Sequence, residues 1–210
     1  MRKVFLFLPL LIFFFGCQSP NLLDSNVAEI HYCFFTAQND LFLVNVWSGK
    51  REEPYEMDGV SSRLVDFTLV SVLPLSDESV SSCSLDVNGK NYVLSLEQSP
   101  FDSSVACDLG FLVAPSDSLV IYLSNNSESE GLKLKCESNE FKIDYKSALA
   151  VATKEVSEFV KDKSDQNFEI YLKIITNTER VKFWYFRLLT SGHDFSCVID
   201  VNTGEVLVSS

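Results

Sequence analysis

The chain has 210 residues, of which 46% are hydrophobic, and 29 Asp and Glu residues against 17 Lys and Arg residues give it a formal net charge of −12. A surface this acidic repels phosphate groups, so the composition excludes a nucleic-acid-binding protein. The length allows one large domain or two small ones, and no long low-complexity tract in the sequence argues for disorder.

Residues 1–16 have the layout of an export signal. Arg2 and Lys3 precede an apolar run from Val4 to Phe15 that contains a single proline. A positively charged start followed by a short apolar core is typical of a signal peptide. The run is shorter than the roughly 20 residues that a membrane-spanning helix needs, so a permanent membrane helix is the weaker interpretation.

Cys17 follows Gly16 directly, and the sequence FFGC resembles the lipobox of bacterial lipoproteins, with Phe14 in place of the usual leucine. In that family the cysteine receives a diacylglyceryl group. The resemblance implies cleavage before Cys17, lipid attachment at Cys17, a polar tether over residues 17–26, and anchoring at the outer face of the cell membrane. In the alternative, Cys17 is the first cysteine of a secreted protein.

Residues 27–141 consist of short apolar, β-branched and aromatic runs separated by turn residues. Several runs alternate with period two, as NYVLSLE does. The turn Asn88-Gly89 before that run indicates a hairpin, because both residue types tolerate positive φ. The pattern predicts eight or nine strands in an antiparallel β-sandwich, for which an Ig-like arrangement is our architectural interpretation and a barrel is the alternative.

Residues 142–210 begin with a clear helix and continue with strands. Asp144 is a candidate N-cap. One apolar stripe indicates packing against a core, and it consists of Tyr145, Leu149, Ala152, Val156 and Phe159. Short turns separate the following runs, so we expect an antiparallel meander and an α+β, mainly β chain overall.

The helix, the serial strands and the final run VIDVNTGEVLVSS resemble the PepSY family. In that family the last hairpin often carries an aspartate followed by Thr-Gly-Glu-Val, which here corresponds to Asp200 and to residues 203–206. The resemblance covers only the C-terminal region. It implies a non-enzymatic domain of exported proteins that restrains peptidases or assists their folding. A generic cystatin-like α+β domain is the alternative.

The sequence contains no motif that predicts catalysis, a metal site or a cofactor. His31 and His193 are the two histidines, and no HExxH, GxSxG, P-loop or GxGxxG motif occurs. We interpret His31 as a half-exposed structural residue of a strand and His193 as a solvated turn residue. Five cysteines follow Cys17 without a CxxC pair, and Cys83–Cys107 is the disulfide we would expect first if one forms.

The best candidate for partner binding in the sequence is the aromatic run KFWYFRL. Neighbouring residues of a strand face opposite sides, so one side of this run should enter a core while the other stays exposed. Trp184 and Phe186 share a side and are the candidate contact residues. Burial on both sides is the alternative.

These features together favour a membrane-anchored extracytoplasmic lipoprotein that binds or regulates a protein or peptide partner. We predict no catalytic residues, no metal and no cofactor, and therefore no enzyme. The alternatives are a structural or assembly factor of the cell envelope, and an enzyme without a recognisable motif.

Overall fold

The structure is a computed structural model that describes residues 26–76, 79–100, 102–124, 129–161 and 167–209. Within these ranges the chain forms thirteen strands, one α-helix and a short 3-10 helix. The first nine strands are β1 (Val27–Gln38), β2 (Phe42–Glu53), β3 (Arg63–Pro74), β4 (Ser82–Val87), β5 (Lys90–Leu94), β6 (Glu97–Gln98), β7 (Val105–Leu109), β8 (Leu119–Ser124) and β9 (Ser129–Cys136). The 3-10 helix (Glu137–Glu140) and α1 (Tyr145–Lys161) precede β10 (Phe168–Thr176), β11 (Lys182–Thr190), β12 (Asp194–Asp200) and β13 (Val206–Ser209).

The expectation of an α+β, mainly β chain is confirmed. One long sheet has the order β13-β12-β11-β10-β1-β2-β3-β7-β6, and a second group has the order β5-β4-β8-β9. The hairpin between β4 and β5 turns at Asn88 and Gly89, both with positive φ as the sequence predicts. Strands β10 to β13 pair antiparallel in series, also as predicted.

The two predicted regions are joined by a shared sheet, which the sequence analysis did not anticipate. The first half of β1 pairs in parallel with β10, through Val27 with Ile170 and Ile30 with Leu172. Further along, β1 leaves β10 and pairs with β9 through Phe35 and Cys136. The boundary we placed near residue 141 is therefore crossed by strand pairing.

Two apolar cores lie on opposite faces of β1. The helix-side core packs α1 against one face of the long sheet, and it includes Ile30, Phe34, Ala152, Trp184 and Phe186. The inter-sheet core lies between β1–β3 and the group β4, β5, β8 and β9. Because side chains alternate along a strand, β1 contributes to both cores.

Helix α1 begins as the sequence predicts. The Asp144 side chain accepts a hydrogen bond from the Ser147 N–H at 2.8 Å, as an N-cap does. Ala148, Ala152 and Val156 are fully buried against the sheet. The side chain of Phe159 lies outside the described residues. Among the described residues, no helix has the length and the apolar character needed to cross a bilayer.

Candidate functional site

Strands β1 and β10 carry polar side chains on the face that points away from α1. We call this face the loop side, because the connection between β2 and β3 (residues 54–62, here the anchored loop) covers it. Its residues are Glu29, His31, Glu169, Tyr171 and Lys173. Burying carboxylates is costly unless they are paired and hydrogen-bonded, so the partners of these groups show what the burial achieves.

His31 is held as a neutral ring by two hydrogen bonds. Its Nδ1 accepts from the backbone N–H of Ile174 at 3.1 Å, so the proton sits on Nε2, which donates to Glu29 Oε1 at 2.8 Å. Burial lowers the pKa of His31, although the Glu29 carboxylate partly opposes this. The only ring lone pair is occupied, and His31 therefore acts as a structural residue that is buried rather than half-exposed.

His31 and Trp47 complete the backbone hydrogen bonds of β10 where this strand leaves β1. Trp47 Nε1 donates to the Ile174 carbonyl at 3.2 Å, and His31 accepts from the N–H of the same residue. A buried backbone group without a partner would be destabilising. The two side chains therefore replace the strand pairing that β1 no longer provides.

Glu29 connects β1 to the anchored loop. Its Oε2 accepts from the Tyr55 hydroxyl at 2.5 Å and lies 2.5 Å from Lys173 Nζ, which also donates to the Tyr55 oxygen at 2.8 Å. Burial alone would raise the pKa of Glu29, but the hydrogen bond from His31 and the charge of Lys173 outweigh it and hold this pKa at about 2. The carboxylate is therefore ionised and fixes the start of the loop.

Glu169 and Asp58 hold the middle of the anchored loop. The Val60 N–H is shared between Asp58 Oδ1 at 2.9 Å and Glu169 Oε1 at 3.2 Å. The other oxygen of Glu169 accepts from the Tyr171 hydroxyl at 2.6 Å. Burial and this carboxylate raise the pKa of Tyr171, so its hydroxyl stays protonated and remains a donor.

Glu52 holds the end of the anchored loop and differs from the other two buried carboxylates. Its Oε2 accepts from the Ser62 N–H at 3.1 Å and from the Ser62 hydroxyl at 3.3 Å, whereas its Oε1 is buried without a hydrogen-bond partner. Burial and the negative charges of Glu169 and Asp58 raise the pKa of Glu52, partly opposed by the Ser62 hydrogen bonds. This residue is 2% exposed.

The outer side of the anchored loop presents apolar side chains to solvent. Tyr55, Met57 and Val60 are 40%, 55% and 52% exposed. Between Met57 and Val60, Gly59 has a φ of +82° and packs on the backbone of Thr190, so the loop backbone is held against the end of β11. The loop therefore combines an internally bonded backbone with an exposed apolar surface.

The buried charged groups of this site are bonded to one surface loop. Three buried carboxylates accept hydrogen bonds from one loop, through Tyr55, Val60 and Ser62. Within the described ranges, no group of three His, Cys, Asp or Glu side chains is arranged to hold a metal ion. The geometry uses its charged groups to define the shape of residues 54–62.

The prediction that Trp184 and Phe186 form an exposed contact surface is wrong. These residues are 1% and 0% exposed and lie in the helix-side core, where Trp184 Nε1 also donates to the Ile143 carbonyl at 2.8 Å. Residues of that side of β11 face α1, so they have no access to a partner. Cys17, the predicted site of lipid attachment, lies outside the described ranges, so its lipidation stays a prediction.

The five described cysteines are free thiols, including Cys83 and Cys107, the pair that we considered for a disulfide. Burial raises the pKa of Cys33 and of Cys83 to about 12, so both thiols stay protonated. Cys33 donates to the Val113 carbonyl at 3.2 Å. Cys33 and Cys83 behave as small apolar residues of the inter-sheet core. His193 is exposed in its turn, as the sequence predicts.

A groove of about 520 Å³ lies between the β10–β11 turn and the ends of β1 and β2. Its two cations are engaged within the protein, since Arg180 bonds to Gln38 and Lys182 bonds to Glu137 at 2.9 Å. The groove thus offers fewer uncommitted charged groups than the anchored loop does.

Sequence reasoning missed the residues that anchor the loop. A signal was present, because AEIHYCFF and FEIYLKII each place polar or ionisable side chains at every second position of an otherwise apolar strand, at 29 and 31 and at 169, 171 and 173. On a strand such residues share one face. What the sequence does not reveal is that these two faces meet beneath residues 54–62.

Comparison of the chain with protein-family models, with curated proteins and with solved structures found no match.

Proposed function

We propose that this protein is an exported, lipid-anchored binding protein that contacts a protein or peptide partner through the anchored loop. The observation that carries the proposal is the exposure of Tyr55, Met57 and Val60 on a loop whose backbone is bonded to buried carboxylates. A preformed loop loses little conformational entropy on binding, which favours affinity. The role is binding or regulation of the partner and not catalysis.

The location follows from the N-terminal pattern. Residues 1–16 act as the signal, Cys17 carries the lipid, and residues 17–26 form the tether at the outer face of the cell membrane. Glu29, near the start of β1, pairs with Arg51, which lies close to the end of β2 where the anchored loop begins. The first residues of β1 therefore lie at the same end of the sheet as this loop. The tether would therefore join the described chain at the same end of the sheet as the anchored loop.

We propose an Ig-like arrangement for the first nine strands and a PepSY-like unit for α1 with β10–β13. The serial pairing after the helix supports the second part. So does the final turn, where Asp200 Oδ1 accepts from the Asn202 and Thr203 amides at 2.8 Å each. If this unit is PepSY-like, the partner would be an exported enzyme, and the contact would restrain that enzyme or assist its folding.

Site-specific photo-crosslinking tests the proposed contact. A photoreactive residue replaces Met57 in the full chain, and a matched variant carries it at Val93, which is also exposed but lies on β5, away from the loop. In the cell envelope we expect a discrete crosslinked protein from position 57 and not from position 93. No product from position 57, or the same products from both positions, would contradict the proposal.

A further inference from the structure

The exposed apolar residues of the anchored loop have acidic neighbours in the sequence. Glu56 and Asp58 alternate along the loop with Tyr55 and Met57, and Glu53 is the last residue of β2, directly before the loop. All three acidic residues are exposed. Within the part of the chain that the structure describes, Glu53 and Glu56 take part in no ion pair. Their charges are therefore available to a partner.

Two cations that contact Tyr55 of the loop are already committed to carboxylates of the protein. Lys173 is paired with Glu29. Arg51 is paired with Asp108, and its guanidinium lies over the Tyr55 ring.

Arg187 is likewise committed. Its Nε and Nη2 donate to Asp194, at 2.9 and 2.6 Å, and its Nη1 contacts the Met57 sulfur at 3.5 Å. The uncommitted charge around the apolar tip is therefore mainly negative. Arg63 is exposed and lies directly opposite Glu53 at the start of β3, so within the described ranges it is an uncommitted cation beside this carboxylate.

We propose that the partner segment recognised by the anchored loop is basic, with lysine or arginine side chains flanking an apolar residue. This inference rests on the proposed function and specifies the chemistry of its partner. The apolar residue packs against Met57 and Val60, while the cations pair with Glu53 and Glu56. An anionic membrane surface does not fit the site, because the same carboxylates repel it.

A peptide-binding measurement on the full chain in nonionic detergent tests the inference. The probe is a short synthetic peptide in which lysines flank two leucines, and the matched probe has glutamates in place of the lysines. The test variant is E53Q/E56Q, and the control variant is E97Q/E179Q, which removes the same charge from exposed positions elsewhere. Circular dichroism checks that both variants are folded.

We expect the lysine peptide to bind about 5- to 10-fold more weakly to E53Q/E56Q, with an unchanged affinity for E97Q/E179Q. Higher salt should weaken binding to the wild-type chain. The inference is overturned if both variants lose affinity equally, if the glutamate peptide binds as well, or if the lysine peptide does not bind. Any of these results with a retained crosslink at position 57 would leave the proposed contact standing and remove only its basic partner.

Discussion

The two faces of β1 and β10 are built in opposite ways. On the helix side, Ile30, Phe34 and Ile170 enter an apolar core beneath α1. On the loop side, Glu29 and Glu169 are as deeply buried, yet they bond to a surface loop. Buried side chains therefore have two roles in these strands. The apolar ones stabilise the fold, whereas the polar ones define the shape of residues 54–62.

The largest effect is expected on the helix side. Phe186→Ala removes a fully buried ring that contacts Phe195, so we expect the free energy of unfolding to fall by about 3–5 kcal/mol. Chemical denaturation measures this change, with Val93→Ala as an exposed control. A loss below about 1 kcal/mol would show that this face is not packed as described.

The loop side should respond less to the loss of one charge. Glu29→Gln leaves Lys173 without its carboxylate, but the lysine is partly exposed and can be hydrated. We expect a loss of about 1.5–3 kcal/mol in the free energy of unfolding. In a double-mutant cycle with Lys173→Met the two losses should be strongly non-additive, and simple additivity would contradict the pairing.

Acidification should act through the loop side. The lowered pKa of His31 means that the unfolded chain binds a proton near the ordinary value of 6.5 while the folded chain does not, so stability falls as the pH drops below 6.5. Glu29 adds a second loss between its ordinary value of 4.5 and its folded pKa of about 2. The denaturation midpoint should decrease as the pH is lowered from neutral. In Glu29→Gln the decrease below pH 4.5 should be smaller than in the wild-type protein.

Glu52 should behave in the opposite way to Glu29. Its pKa is raised, so its ionised form opposes folding above pH 4.5. Glu52→Gln keeps an acceptor for the Ser62 N–H and removes a charge close to Glu169 and Asp58. We expect a gain on the order of 0.5 kcal/mol at neutral pH, measured by denaturation. A loss as large as that of Glu29→Gln would refute this distinction between the two carboxylates.

The smallest effect on stability is expected at the exposed tip. Met57→Ser should change the free energy of unfolding by less than about 0.5 kcal/mol, because the side chain is mostly in water. The same variant should reduce crosslinking from a photoreactive residue at Tyr55 or Val60. A retained crosslink would mean that the apolar tip is not part of the contact.

Local patterns predicted the elements well. The period-two runs, the Asn88-Gly89 turn and the Asp144 cap each depend on neighbouring residues, so the sequence contains the information directly. The parallel pairing of β1 with β10 depends on residues about 140 positions apart, as with His31 and Ile174, and no short-range pattern encodes it.

The site was harder to predict for the same reason. KFWYFRL shows which residues of β11 share a face, but only the position of α1 decides that Trp184 faces the core. The anchored loop, residues 54–62, has the sequence of a polar connection, and the carboxylates that fix it come from β1, β2 and β10. Their convergence is a property of the sheet and not of any one segment.

Amide hydrogen exchange at Val60 and Ser62 tests most directly whether buried carboxylates hold this exposed loop in one shape. The structure predicts slow exchange at both amides, comparable to the adjoining ends of β2 and β3, and faster exchange at Val60 in Glu169→Ala. Exchange at the rate of an unstructured chain in the wild-type protein would contradict a preformed contact loop.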